Sequence, residues 1–338
     1  MTLTSMNHQY IERESGRIVT EKLYGDRMIN FLYNHARENA AAFFKALTSS
    51  RGSRLLGFLN YDLPYVLGMR NSGHIVQALD IDLDECVDRL EKLNSPRKIF
   101  ERKINYWENR PMPDDPDAVV SPADSKMLVG SFENESRLFL KEKFFHFEEL
   151  IGPEKKKWLQ AFSKGSYAIF RLTPEKYHYN HVPVSGKVVD IYELGSTYHS
   201  CNPGAVIAEA TPYSKNKRVV TVIDTQVPGG TCVGLVAMIE IVALMIGNIL
   251  QCYSQSRYQN PQNITPGLFL EKGQPKSLYR PGSSLDVLIF EKDAITFCDD
   301  IVSNMHHPYV KTRFSKEFGR PVVETDVKVR SHIATRLF

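Results

Sequence analysis

The chain has 338 residues, 42% of them hydrophobic and 24% charged, which is the composition of a globular protein with a sizeable core, in one large domain or two unequal ones. Its 42 Lys and Arg against 39 Asp and Glu leave a formal charge of +3, so there is no basic footprint for nucleic acid. Five cysteines (Cys86, Cys201, Cys232, Cys252 and Cys298), odd in number and never in a CxxC pair, argue against a disulfide framework or structural zinc and for a reducing compartment.

The N-terminal MTLTSMNHQYIERESGR is polar and acidic where a signal peptide needs an apolar core, so a cytoplasmic protein is expected. From Gly25 to Leu47, apolar residues recur at three- and four-residue spacing and predict helix. Leu55 to Leu67, broken by Gly57 and Pro64, predicts one or two short helices. Such a layer packs on a main domain or presents an amphipathic surface to a membrane, and the lack of a dense basic face favours packing. Asp80 to Glu91 has the acid spacing of a calcium loop, but Glu85 stands where the sharp turn requires glycine. The expectation there is a helix capped by Asp82, burying Val87, Leu90 and Leu93, with no metal.

Four prolines in Pro111 to Pro122 mark a boundary between a helical region, 1–110, and a second unit, 111–338. Beyond it the period becomes that of β-structure. Val119-Val120, Lys126–Gly130, Tyr167–Leu172, Lys187–Tyr192, Ala205–Ala210, Arg218–Ile223 and Leu285–Phe290 are strand-like runs. Val233 to Leu250 is nearly long enough to span a bilayer, yet Glu240 at its centre would cost about 2.5 kcal/mol or more in lipid. It reads as buried strands with a turn. The predicted fold is α+β, an N-terminal helical layer on a mainly antiparallel, sandwich-like β domain.

Three stretches carry candidate chemistry. Gly282-Ser283-Ser284 joins a flexible glycine carbonyl to a serine hydroxyl, a place where a chain can attack its own backbone, though such tripeptides are also ordinary turns. His178 and His181, in YHYNHVPVSG, are set rigidly by Pro183 and the Ser185-Gly186 turn, and no third ligand accompanies them as a zinc site would need. Asp124, in SPADSK, reads alone as an Asx turn. Together, Asp124, His181 and Ser283 supply the carboxylate, base and hydroxyl of a nucleophile triad.

These stretches resemble one family, the pyruvoyl-dependent phosphatidylserine decarboxylases, which are made as self-cleaving proenzymes. SPADS (121–125) resembles the PADG motif, YHYNHVPVSG (177–186) the YHRxHxPxxG motif, and KGQPKSLYRPGSS (272–284) is similar in register to KGxExGxFxxGST. SPRKIFERKI with Arg110-Pro111, and VALMIGNI, are weaker matches. Leu194-Gly195-Ser196-Thr197 reproduces the LGST cleavage letters, but it precedes YHSCNP and lacks the lead-in, so Gly282-Ser283 is the better scissile bond. The resemblance implies that His181, oriented by Asp124, activates Ser283 against the Gly282 carbonyl. The products would be a β chain to Gly282 and an α chain whose first residue, Ser283, becomes the covalent pyruvoyl cofactor. That group would decarboxylate phosphatidylserine to phosphatidylethanolamine through a Schiff base, with His178 placing the carboxylate or returning a proton. A peripheral membrane protein and a homodimer of processed αβ units are also implied. Ser125, Tyr179, Pro275 and Ser277 depart from the motifs. They leave open a soluble decarboxylase of a free, tryptophan-like amino acid, or an unprocessed relative that binds lipid or a partner.

Overall fold

The run SLDVLIF is buried at every position because it forms the strand at the middle of a wide sheet with both faces covered. In the computed structural model, residues 7–63, 72–133, 144–245, 248–282 and 284–337 are described. The strands in chain order are β1 (Gln9–Glu12), β2 (Ile18–Thr20), β3 (Ala118–Val120), β4 (Ser125–Ser131), β5 (Ser166–Leu172), β6 (Tyr179–His181), β7 (Gly186–Leu194) and β8 (Arg218–Asp224). They continue as β9 (Leu235–Val242), β10 (Ile249–Gln251), β11 (Phe269–Leu270), β12 (Pro275–Tyr279), β13 (Ser284–Phe290), β14 (Ile295–Phe297), β15 (Thr325–Val327) and β16 (His332–Arg336). A ten-stranded sheet has the order β11-β7-β8-β9-β13-β5-β4-β15-β1-β2, antiparallel except where β1 meets β15. Two three-stranded sheets, β10-β12-β6 and β14-β16-β3, complete the β-structure. The class is α+β, as the sequence predicted.

The N-terminal helices are short. They are α1 (Asp26–Phe31), running into a π-helical turn at Leu32–Ala36, α2 (Ala41–Leu47), α3 (Ser50–Gly57), with a second π-turn at Phe58–Asp62, α4 (Ser72–Ala78) and α5 (Pro96–Phe100). Ser49 and Ser95 cap α3 and α5 by accepting from Gly52 N and Lys98 N, each at 3.2 Å. Ile29, Leu32, Tyr33, Ala36 and Phe44 form the buried stripe, packed on Ala205 and Leu244. Ser200 N donates to the Tyr33 hydroxyl at 2.7 Å and Met245 N to Ser53 Oγ at 3.0 Å, so the layer is fixed over 198–202 and 244–245. The part of the predicted 55–67 helix beyond Leu63 lies outside the described residues.

Two expectations are corrected. Residues 80–91 are not helical: Asp82 Oδ1 accepts from Asp84 N at 2.9 Å in an Asx turn, and Val87 N donates to Lys103 O, also at 2.9 Å. The carboxylate thus closes a tight turn rather than capping a helix, and Val87 is exposed. Ala205–Ala210 is not a strand: Pro203–Ala208 is helical because Asn202 accepts from Gly204 N at 2.8 Å and Pro203 sits in the first turn. Val233 to Leu250 does form β9 and β10, with residues 246 and 247 between them outside the description. Among the described residues, no helix is long and apolar enough to cross a membrane.

One buried ion network ties the N-terminal segment to the sheet. Arg171 of β5 forks onto Glu21 at 2.8 and 2.6 Å and onto Glu324 at 2.8 and 2.6 Å, while His8 Nε2 donates to Glu324 at 2.9 Å. Burial alone would raise both carboxyls, but Arg171 outweighs it and holds each below its ordinary value. Arg171→Met would strand two buried carboxylates and should cost about 3–5 kcal/mol in denaturant unfolding. Depressed carboxyls contribute stability that is present above about pH 4.3 and lost as pH falls below it. The wild-type chain should therefore lose more stability on acidification than the Arg171→Met chain, measured by urea titrations across pH 3–7.

Candidate active site

The stretch from Lys272 to Phe290 leaves the small sheet at the end of β12 and enters the large sheet at the start of β13, so the connection 280–283 bridges two sheets. Gly282 has φ +142°, a conformation in which a Cβ would be strained, which is a local reason for glycine there. Ser283 itself lies outside the described residues. Ser284, the first residue of β13, pairs with Leu172 and Val242. Its hydroxyl is buried without a hydrogen-bond partner among the described residues.

Gly282 lines a cavity of about 500 Å³ roofed by the N-terminal helices. The walls are mostly apolar, with Ile29, Tyr61, Phe100, Leu172 and Leu244 among them, while Glu21, Lys22, Arg171, Ser200 and Asn202 are polar residues that also line it. Cys201 Sγ lies 3.8 Å from the Ser284 carbonyl. The motif around 198–203 is thus part of the cavity. The Gly195-Ser196 pair is an exposed turn after β7 and does not line it.

Backbone pairing brings the three motif stretches together. β6 runs antiparallel to β12, with His181 opposite Pro275, and Tyr279 N donates to His178 O at 3.1 Å. His181 N donates to Pro122 O at 2.7 Å, joining the Asp124 turn to the same strand. The side chains, however, pair differently from the expected triad. Asp124 is gripped by Arg110, with Nε at 3.0 Å and Nη2 at 2.8 Å, and accepts from Val329 N at 2.8 Å. It makes no hydrogen bond to either histidine among the described residues. Burial alone would raise its carboxyl, but Arg110 reverses this and holds it below the ordinary value.

His181 is tied at both nitrogens, to Gly273 O at 2.8 Å through Nδ1 and to the Tyr177 hydroxyl at 3.0 Å through Nε2. A carbonyl can only accept, so Nδ1 carries the proton and Nε2 is left as an acceptor facing the Tyr177 hydroxyl, whose single hydrogen is shared between this nitrogen and the Tyr258 hydroxyl at 2.8 Å. Burial lowers this imidazole to about 3. His178 is the opposite case. Its ring stacks on Phe100 with centroids 3.6 Å apart, and among the described residues neither buried nitrogen has a hydrogen-bond partner of good geometry, the Lys176 backbone lying near enough only to favour the charged ring. Burial, and then Arg102, push it well below its ordinary value, so it is neutral at pH 7. Arg102 is itself buried, its Nη2 donating to Glu175 O at 2.7 Å. Arg102, Arg110 and Phe100 were not singled out as functional, although they lie in or beside the SPRKIFERKI stretch that already resembled a family motif.

Ser284 Oγ and both ring nitrogens of His178 are thus buried polar atoms without a hydrogen-bond partner among the described residues. The chain also matches known proteins. Residues 97–320 match the family model described as phosphatidylserine decarboxylase. A phosphatidylserine decarboxylase proenzyme of Fusobacterium nucleatum is 27% identical, covering 92% of this chain and 97% of the relative. One from Ruminiclostridium cellulolyticum is also 27% identical, covering 87% and 91%. The phosphatidylserine decarboxylase proenzyme 2 of Oryza sativa is 32% identical over 66% of this chain and 34% of its own length. With the family match spanning two thirds of the sequence and covering the motif stretches, this chain belongs to the phosphatidylserine decarboxylase family.

Proposed function

We propose that the chain is a decarboxylase proenzyme that cuts itself between Gly282 and Ser283 and then acts on phosphatidylserine at a membrane surface. The observation that carries this reading is the position of Gly282, on the wall of a largely apolar cavity at the crossing between two sheets. In the cut, Ser283 Oγ attacks the Gly282 carbonyl and the peptide nitrogen is expelled, leaving an ester. Elimination across Cα–Cβ of residue 283 frees the Gly282 carboxylate, and water then replaces the nitrogen, which departs as ammonia. Residue 283 ends as a pyruvoyl group.

The sequence assigned the base to His181. The hydrogen bonds favour His178, because both His181 nitrogens are engaged while those of His178 are not. In this reading His178 takes the Ser283 proton, and Asp124, which favours the charged form of that ring electrostatically, steadies it. His181 and Tyr177 hold the Gly273 end of the lead-in. The pyruvoyl carbonyl supplies the electron sink when CO2 leaves the substrate. Phe100, Leu244 and Ile29 exclude water from that step, and His178, stacked on Phe100, would return a proton to the substrate carbon.

The substrate follows from the walls. A mostly apolar cavity of this size suits an acyl-bearing molecule better than a free zwitterionic amino acid. Beside its roof, Phe31, Phe43, Leu55, Phe58 and Leu59 are exposed, interspersed with exposed Arg27, Lys45, Arg51 and Arg54. Apolar side chains among cations are the surface chemistry of a protein resting on anionic lipid.

Freshly translated protein should resolve into two chains in denaturing gels, the smaller blocked at its N-terminus by pyruvoyl in mass spectra. Ser283→Ala should remain intact, His178→Ala should slow cutting by about a hundredfold to ten-thousandfold, and His181→Ala should slow it less. The reverse order for the two histidines would restore His181 as base. Phosphatidylserine vesicles should release CO2 in a radiometric assay where free serine and tryptophan do not. In flotation with phosphatidylserine vesicles, Phe31→Ser combined with Phe58→Ser should shift most of the protein from the lipid fraction to the unbound one.

A further inference from the structure

Met245 lines the catalytic cavity and also a second pocket, of about 600 Å³, that the chemistry above does not use. The second pocket is cationic. Arg54, Arg97, Lys217 and Arg280 line it, against one carboxylate, Asp62. These cations come from α3, from α5, from the residue before β8 and from the residue after β12, so the fold and not a local charge run gathers them. Bringing like charges together in one concavity is unfavourable unless an anion meets them.

The protein's own acids meet only part of this charge. Arg97 is satisfied, with Nε and Nη2 forked onto Asp62, each at 2.6 Å, and Nη1 donating to Glu101 at 3.2 Å. Arg280 gives Nη1 alone to Glu101, at 3.0 and 3.1 Å, which leaves its Nε and Nη2 without an acceptor among the described residues. Arg54 donates Nε to Ser50 O at 3.3 Å and meets no carboxylate among them. Lys217 stands 3.3 Å from Glu193, whose side chain is mostly exposed. Tyr198 adds a neutral donor. The residue is only 4% exposed and lines this pocket, yet its hydroxyl has no hydrogen-bond partner among the described residues. A buried phenol ordinarily finds one.

We propose that this pocket binds a phosphate group, whose oxygens accept from the free guanidinium nitrogens of Arg54 and Arg280, the Lys217 ammonium and the Tyr198 hydroxyl. Guanidinium forks match phosphate oxygens, and donors converging from separate elements suit a tetrahedral oxyanion better than a flat carboxylate. Loosening the half-exposed pairs with Glu193 and Glu101 costs little in exchange. Two sources offer this chemistry, the phosphodiester of a membrane phospholipid and a free phosphate. The setting favours the lipid. Phe58, an exposed apolar residue beside the cavity roof, lines the same pocket, and Arg280 is two residues from Gly282, at most about 7 Å from the catalytic wall along the chain. The site goes beyond the cleavage reading and does not require it.

The test titrates the full chain calorimetrically with dihexanoyl phosphatidylglycerol, which carries a phosphodiester but no amine to react, and with inorganic phosphate. Dihexanoylglycerol is the control without phosphate. Wild type should bind the phosphatidylglycerol, while Arg54→Gln and Lys217→Gln should each bind it about tenfold more weakly and melt at the wild-type temperature. Tyr198→Phe should weaken binding by about threefold. Dihexanoylglycerol should not distinguish wild type from the variants. Tighter binding of phosphatidylglycerol than of inorganic phosphate assigns the site to a lipid, and the reverse assigns it to a free phosphate. Variants that bind both phosphate probes as wild type does would overturn the proposal, as would a wild type that binds neither. If Lys217→Gln does not fold, Arg54→Gln, at an exposed position, decides alone. A wild-type chain that stays whole but binds phosphate in this way removes the cleavage reading and leaves the site. A chain that cuts itself, with variants that bind like wild type, loses the site only.

Discussion

The structure depends on β13 being buried from end to end between β9 and β5. A central strand in a sheet covered on both faces must satisfy every backbone group within the sheet and fix its register. That fixed register sets where the chain before it can lie. Because β12 belongs to a different sheet, the chain passes from one sheet to the other after Tyr279, and Gly282 on that path takes a φ of +142° that favours glycine.

Most of the buried charge described is met by an opposite ion, while buried Arg102 and Arg218 are met by backbone carbonyls. Arg171 answers Glu21 and Glu324, Arg110 answers Asp124 and Glu85, and Lys276 answers Glu240. His8, Glu21 and Glu324 bring donor atoms together as a metal site would, but the Arg171 guanidinium forks onto both of their carboxylates. Asp286 is paired with no cation among the described residues, and burial, with Glu240 beside it, raises its carboxyl well above the ordinary range.

Much of the architecture was legible because burial writes a period into the sequence. Two-sided strands such as Arg218–Asp224 and Ser284–Phe290 are continuous β-branched and apolar runs, and Glu240 distinguished a buried strand from a membrane helix. Pro203–Ala208 was missed because its apolar residues fit either period, and the deciding signal was the Asn202 cap with Pro203 behind it. The motif stretches were found, and the backbone joins them through pairings that their order in the chain could not show. Which atoms meet was not legible. Asp124 reads as a partner for a histidine until Arg110 is seen to hold it, and His178 and His181 differ only in whether Phe100 or Tyr177 lies beside the ring. Pairings of that kind depend on rotamers and on residues distant in the chain.

The central place of β13 has one more consequence. Under the proposed cut, the smaller fragment begins at the edge of the innermost strand of the molecule, with its next residues paired on both sides. Separation of the fragments would require opening the middle of the sheet, so the halves stay interlocked without a covalent bond. Assembly before the cut is a unimolecular event, and recovery after denaturation would be a bimolecular one. The continuous precursor thus acts as a template used once, and the mature protein persists through the slowness of its unfolding rather than through any ready route back.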